Sequence, residues 1–408
     1  MKKKNLLRIA LFSMFVFVTA CSSDDSKDEV TVDPGTGPVV ETDPLTTANA
    51  RMYMADANAT DETVALFYNL KQLQKTKYLV GQQDAFNAFY NNAGGDADIK
   101  KATGNDPALL GSDFMFITDN KNDGKANNWF YQQELKITAD VKAAYKKGMV
   151  NTFCWHLREP YKGETFYAAD MTATEKATAF TSILPGGANH DYFLKKLDKV
   201  ADVLNNLKSD DGKLIPVIFR PFHEFDGSWF WWGANYSTPD QYKQAYQFIV
   251  TYLKNTKNVH NVIYAFSPDN SYSTENAYLS RYPGDQYVDV LGIDNYGDFS
   301  NGSAAGVTTA NNKLKMISDL AKTKVKVAAM TETGYQVTST NSPMGGFFTT
   351  SIFNAMTQND VQVAYVMFWA NTETGYYVGP ASADFKTFAQ KSESVLQNNI
   401  PNMYSMPK

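Results

Sequence analysis

The chain has 408 residues, 43% hydrophobic and 20% charged, which supplies a sizeable core and excludes a disordered class. Its net charge of -5 argues against nucleic acid or an anionic membrane surface as a partner. Aromatic residues reach 14%, and rings without a basic patch suit a neutral ligand.

Met1-Lys2-Lys3-Lys4 followed by the apolar run Leu6 to Ala20 reads as an export signal. It is too short and too early for a retained spanning helix. "VTAC", ending at Cys21, resembles a bacterial lipoprotein box. That resemblance implies cleavage before Cys21, acylation of Cys21 and anchorage to a membrane. "CSSDDSKDE" is similar to the surface-export tag of Bacteroidetes lipoproteins, which implies an outer-membrane protein facing the cell surface, the periplasmic face being the other arrangement. The alternative is an ordinary periplasmic or secreted protein with an incidental cysteine. Residues 21–47 are rich in Ser, Asp, Thr, Pro and Gly and read as a tether. Residues 48–408 contain no second linker and read as one domain.

Within that domain eight strand-length apolar runs follow in order. They are "KYLVGQQ" (77–83), "ALLGSDF" (108–114), "MVNTFCWH" (149–156), "LIPVIFRP" (214–221), "NVIYAFSP" (261–268), "VDVLGID" (288–294), "KVKVAAM" (324–330) and "VQVAYVMFW" (361–369). Near-continuous apolarity is expected of strands covered on both faces. Pro216 should begin its strand rather than interrupt it. Helical signals lie between the runs. Phe193, Leu197, Val200, Leu204 and Leu207 mark one face. Thr238, Pro239 and Gln241 predict a capping box opening a helix with Tyr242, Ala245, Ile249 and Tyr252 inward. "NNKLKMISDLAK" precedes the seventh run and is helical in pattern. Eight strands alternating with helices predict an α/β fold, a (β/α)8 TIM barrel in a single catalytic domain. No glycine-rich phosphate loop supports a doubly wound nucleotide-binding sheet instead. Cys154 lies in an apolar run and reads as a small buried hydrophobe.

In such a barrel function sits where strands run into the loops that follow them. Trp155-His156, His223-Glu224, Asp294-Asn295-Tyr296, Thr331-Glu332 and Trp369-Ala370-Asn371 therefore converge on one rim. Two carboxylates on one rim suit glycoside hydrolysis, one protonating a leaving oxygen and the other attacking the sugar or activating water. "TETG" occurs at 331–334 and again at 372–375; only Glu332 directly follows a strand, so Glu373 is read as a rim residue. Trp229, Trp232 and Trp369 are candidate platforms for the apolar face of a pyranose, while Phe230 and Trp231 read as core. His156 and His223 can donate to sugar hydroxyls; His190 and His260 have ordinary structural surroundings. "HEFDG" lacks the second histidine of H-E-x-x-H, so no catalytic metal and no cofactor are expected.

"RPFHEFDGSWFWWG" (220–233) resembles the acid/base region of glycoside hydrolase family 26, whose best-known members are endo-β-1,4-mannanases. "GQQDA" (81–85), "RYPGDQYVDVLGIDNYGD" (281–298), "AMTETGY" (329–335) and "MFWAN" (367–371) follow in the family's order. The resemblance implies a retaining double displacement on mannan, galactomannan or glucomannan. Glu224 becomes the acid/base and Glu332 the nucleophile. His223 and Trp229 line the cleaved bond, Tyr296 hydrogen-bonds Glu332, and Trp369 supports the sugar, with His156 beside them. Retention implies carboxyl groups about 5–5.5 Å apart. Glu224 must start protonated, so burial against indole should hold its proton. Phe225 and Asp226 stand where the family often has methionine and asparagine, and the added charge of Asp226 should raise the proton affinity of Glu224. Two other readings remain open. One is a β-1,3-xylanase or mixed-linkage glucanase of the same family. The other is a non-catalytic lipoprotein that displays glycan at the surface.

Overall fold

In the computed structural model, which describes residues 43–88, 93–94, 96–335, 344–371, 378 and 382–408, each of the eight apolar runs becomes a strand. They are β1 (Tyr78–Gln83), β2 (Leu109–Asp113), β3 (Val150–Cys154), β4 (Val217–Arg220), β5 (Val262–Phe266), β6 (Val290–Asp294), β7 (Val327–Thr333) and β8 (Tyr365–Phe368). Every strand pairs in parallel with the next, and β8 pairs with β1 at Leu79↔Tyr365 through Gln82↔Phe368, closing a (β/α)8 barrel. Every residue of all eight strands is buried. β4 begins at Val217, directly after Pro216, where the missing N–H costs no ladder bond. A short ninth strand, β9 (Ser394–Val395), follows the barrel. It pairs with Tyr78 and Leu79, the part of β1 that β2 leaves open by starting at Gly81↔Leu109. Nothing in the local pattern of "SV" marks it as a strand; its register depends on that stagger.

Inward residues Leu79, Leu109, Val150, Ile218, Ile263, Val290 and Val327 share one cluster with Val64, Leu66, Phe67 and Leu70 of the helix Asp61–Leu73. That helix therefore seals the inner core. Outward residues pack against the flanking helices in a second cluster. The helix His190–Asn206 buries Phe193, Leu197, Val200 and Leu204 as the spacing predicts, with Leu207 as its cap. The helix Pro239–Thr251 carries the expected capping box between Thr238 and Gln241 and buries Tyr242, Ala245 and Ile249. Tyr252 is only partly buried; Tyr246 and Val250 complete that face. The helix Ala304–Thr323 starts earlier than its apolar stripe, capped by Ser303.

The compact unit runs from Pro44 to Lys408. It begins slightly before residue 48 because Leu45 is buried and Asn49 Nδ2 donates to the Pro44 carbonyl at 2.8 Å. No helix among the described residues is long and apolar enough to cross a membrane. Cys21 and most of the expected tether lie outside the described residues.

Candidate active site at the C-terminal rim

The site starts from an arginine at the end of an apolar strand. Ile218 faces the inner core, so Arg220, two residues on, must face inward as well. It is 1% exposed and forms ion pairs with Asp294 and Glu332. Beyond Pro221 the chain takes left-handed turns at Phe222 (φ 50°) and Glu224 (φ 53°), conformations unusual for side-chain-bearing residues. Neighbours hold them there. Tyr242 Oη donates to the Phe222 carbonyl at 3.3 Å, Trp232 Nε1 to the His223 carbonyl at 2.7 Å, and the Glu224 N–H to the Ser267 carbonyl at 2.9 Å. The strain points His223 and Glu224 at the rim together, which an extended chain would not do.

Glu332 is aimed by a different device. β7 carries one extra residue against both neighbours: Met330 pairs with Ile293 and Val366, but the next pairs are Glu332 with Asp294 and Thr333 with Phe368. Such a bulge interrupts the alternation of side chains. Thr331 and Glu332 both bond to groups of the site as a result. Thr331 Oγ1 donates to Asp294 Oδ1 at 2.8 Å, and Ser267 Oγ donates to the same oxygen at 2.8 Å. Glu332 accepts from Arg220 through one oxygen and from Tyr296 Oη at 2.8 Å through the other.

One carboxylate oxygen from each of Glu224, Asp294 and Glu332 lies within 4.8 Å of the other two. One guanidinium serves Asp294 and Glu332; Glu224 has no cation among the described residues and accepts instead from Trp229 Nε1 at 2.7 Å. Burial pushes the Glu224 carboxyl well above the usual range, with Glu332, Asp294 and Asp269 adding to it against the indole N–H. Glu224 therefore holds its proton more tightly than an exposed glutamate does. Asp294 is pushed up to about 8, burial leading, against the pull of Arg220. The Asp226 carboxylate accepts from the backbone N–H groups of Asp269 and Ser271, at 2.6 and 3.1 Å, and its charge raises the proton affinity of Asp269.

His156 Nδ1 meets Asp113 Oδ2 at 2.6 Å, which fixes its ring and leaves Nε2 for the rim. His223 packs edge-on to it at 4.7 Å. Burial, then Arg220 and His156, hold His223 well below its usual range, so it is neutral. Its Nδ1 is buried with no hydrogen-bond partner among the described residues. Trp229 is 40% exposed beside Glu224, and Trp369 is half-buried 6.0 Å from the His156 ring. Gly227 has no room for a side chain, since an added Cβ would lie 2.3 Å from the Trp229 indole.

Trp232 is a correction. It is fully buried, stacked on Phe230 at 4.5 Å, and offers a ligand no open face. A run of consecutive rings cannot all face one cleft, and Trp232 buttresses His223 instead. Phe230 and Trp231 are core, as expected. So is Cys154, whose thiol burial pushes up far enough that it stays protonated and poorly suited to a metal, although Asp113, Cys154 and His156 form a close group. His190 bonds the Ile183 carbonyl and His260 bonds Asp56, both away from the rim. Glu373 lies outside the described residues. Asp294 and Thr331 were expected on the rim without a role, while Arg220, Ser267 and Asp113 escaped the sequence reading as site residues, as did Tyr167, 47% exposed and stacked on Phe230 at 5.8 Å. A charged residue closing an otherwise apolar strand was the available signal for Arg220.

A closed parallel barrel bearing a carboxyl of raised proton affinity and an arginine-held carboxylate on one rim suits glycoside hydrolysis. The chain belongs to glycosyl hydrolase family 26, whose model matches residues 55–379. It is 34% identical over 373 residues to a mannan endo-1,4-beta-mannosidase of Bifidobacterium adolescentis, covering 86% of this chain and 36% of that protein. The chain thus spans about a third of that curated relative's length. Among solved structures it resembles GH26C from Muricauda sp., with TM-score 0.87, 53% identity, and coverage of 89% of this chain and 99% of the other. It also resembles a modular endo-beta-1,4-mannanase from Cellulomonas fimi, with TM-score 0.77, 33% identity, and coverage of 86% and 79%.

Proposed function

We propose that the chain hydrolyses β-1,4-mannosidic bonds within mannan-type polysaccharides, with retention at the anomeric carbon. The observation that carries this reading is the approach of two unlike carboxyl groups, Glu224 and Glu332, which bring one oxygen of each within 4.8 Å. Retaining glycosidases place the pair about 5–5.5 Å apart, and inverting ones need about 6.5–9.5 Å to admit a water. The mannan specificity is supported by the activities named for the Bifidobacterium and Cellulomonas relatives.

Glu332 is the nucleophile. Its carboxylate oxygen attacks the anomeric carbon while the bond to the leaving sugar's oxygen breaks, and the Glu224 proton passes to that oxygen. Glu224, now anionic, takes a proton from an entering water. The hydroxide oxygen bonds to the anomeric carbon and the Glu332 ester breaks. Tyr296 and Arg220 receive the returning negative charge on Glu332. His156 and His223 offer ring nitrogens to sugar hydroxyls, and Trp229 and Trp369 present ring faces to the sugars. Trp232 acts through the His223 backbone.

The N-terminal reading extends this. The signal 1–20 is removed, Cys21 is acylated, and the tether carries the barrel at the outer membrane facing the cell surface. Its support is the "VTAC" and "CSSDDSKDE" sequences. Cys21→Ala should release the protein from the membrane fraction.

Glu224→Ala and Glu332→Ala should each nearly abolish release of reducing sugar with the fold intact. Wild-type protein should act on mannan, galactomannan and glucomannan in preference to β-1,3-xylan and mixed-linkage glucan. Full activity in either variant defeats the residue assignment. A preference for xylan or mixed-linkage glucan defeats the substrate. A wild-type protein that binds mannan without cutting it would be a glycan-display protein.

A further inference from the structure

We propose that Tyr167 is a binding residue on the leaving side of the scissile bond: its ring is a platform for the pyranose that departs when Glu332 attacks. The inference rests on the proposed reading of Glu332 as nucleophile and Glu224 as acid.

Tyr167 lies in the loop after β3, and its backbone is tied to the segment that carries the acid. Tyr167 and Phe230 face each other in an isolated antiparallel bridge. Around it the Ala168 N–H donates to the Trp229 carbonyl at 2.7 Å, and the Trp231 N–H donates to the Phe166 carbonyl at 3.3 Å. The Tyr167 N–H donates to Thr165 Oγ1 at 3.0 Å, and that hydroxyl donates to Asp170 Oδ2 at 2.9 Å. The Tyr167 ring is the outer member of a stack. It lies 5.8 Å from Phe230 at an interplanar angle of 22°, and Phe230 lies 4.5 Å from Trp232, also at 22°. Phe230 and Trp232 are buried, whereas Tyr167 stands exposed. The middle ring of the stack is also the one that both site histidines pack against, His156 and His223 each at 5.3 Å. Tyr167 is thus an open phenol ring, held from behind, one layer out from His156 and His223. Its bridge partner Phe230 directly follows Trp229, whose indole donates to Glu224.

Barrel geometry decides which sugar it meets. A displacement puts the nucleophile and the leaving oxygen on opposite faces of the anomeric carbon. Glu332 comes from β7, and β3 stands four strands from β7 in either direction around the closed ring. The departing sugar therefore lies toward the loops after β3 and β4, where Glu224 gives its oxygen a proton. A pyranose presents an apolar C–H face, which packs on an aromatic ring. A ring already fixed by its backing loses little freedom when the sugar arrives.

Tyr167→Ala should lower kcat/KM on galactomannan about tenfold. On β-mannobiosyl fluoride, whose leaving group is a single atom that cannot use the platform, kcat/KM should be little changed. Added mannobiose that captures the glycosyl-enzyme enters from the leaving side, so transfer products should fall relative to hydrolysis. Tyr167→Leu fills the space without a ring face and should follow Tyr167→Ala. Tyr167→Phe keeps the ring and should behave as wild type. A ring that only anchored its loop would lower the melting temperature and depress both substrates alike.

The experiment is to measure kcat/KM on galactomannan and on β-mannobiosyl fluoride, and the ratio of transfer to hydrolysis, for wild type and the three variants, with melting temperatures to verify folding. Losses confined to galactomannan and to transfer, with recovery in Tyr167→Phe, support the inference. Equal losses on both substrates, or galactomannan activity retained in Tyr167→Ala and Tyr167→Leu, overturn it. Glu332→Ala assayed on the fluoride separates this from the underlying assignment. If that variant turns the fluoride over, the nucleophile reading itself has failed.

Discussion

Tyr296→Phe isolates one oxygen of Glu332, the proposed nucleophile. The hydroxyl donates to Glu332 Oε1 at 2.8 Å, while Arg220 binds the other carboxylate oxygen. Removing it leaves the ion pair and the ring in place, so folding should survive. A hydrogen bond to a charged group contributes about 1.5–3 kcal/mol, which is about 10- to 150-fold in rate. Tyr296 is partly exposed, so water can replace some of the lost bond, and about 10- to 30-fold is expected. The loss should fall mainly on the second step. There Glu332 departs as an anion and the donor stabilises the charge that develops on it. In attack that charge is consumed, and the same donor helps less. The ester intermediate should then accumulate, lowering kcat and KM together while kcat/KM changes little. Stopped-flow kinetics with an activated aryl mannoside should show a burst of released phenol that wild type lacks. A fall in kcat/KM as large as that in kcat, or the absence of a burst, would refute this use of the hydroxyl.

Three further outcomes are expected. In Trp229→Phe, Glu224 loses the indole N–H that favours its anion, so the alkaline limb of kcat/KM should move to higher pH; movement to lower pH contradicts the account. In Gly227→Ala, a Cβ 2.3 to 2.6 Å from three indole carbons must displace Trp229, so kcat should drop about tenfold or more with the melting temperature nearly unchanged, as checked by calorimetry. Thr238→Ala removes a helix cap far from the chemistry and should cost about 1 kcal/mol in urea unfolding without altering kcat.

The barrel was legible because its strands are buried on both faces and read as uninterrupted apolar runs. β7 was placed too early: "KVKVAAM" begins at 324, but Val325 has a left-handed φ of 54° and pairing starts at Val327 and runs to Thr333. Glu224 and Glu332 were legible because a carboxyl group at the end of a barrel strand has few other reasons to be there. The bulge that turns Glu332 was not, since an extra residue shows only against the neighbouring strands. Arg220 is the first residue of "RPFHEFDGSWFWWG", yet its partners lie 74 and 112 residues away, and pairing over such distances leaves no local trace. Trp232 misled for the opposite reason. Its neighbours in sequence are rings, but which ring faces the cleft depends on how the loop folds over His223.

Retention requires Glu332 to form an ester while Glu224 moves the proton. Proton NMR of the first reducing ends released from a β-mannan substrate, recorded before mutarotation, tests this directly. Newly formed ends in the β configuration are expected from two successive inversions. Ends that appear first in the α configuration would mean that water attacks directly, and that the closeness of the two carboxyl groups has been misread.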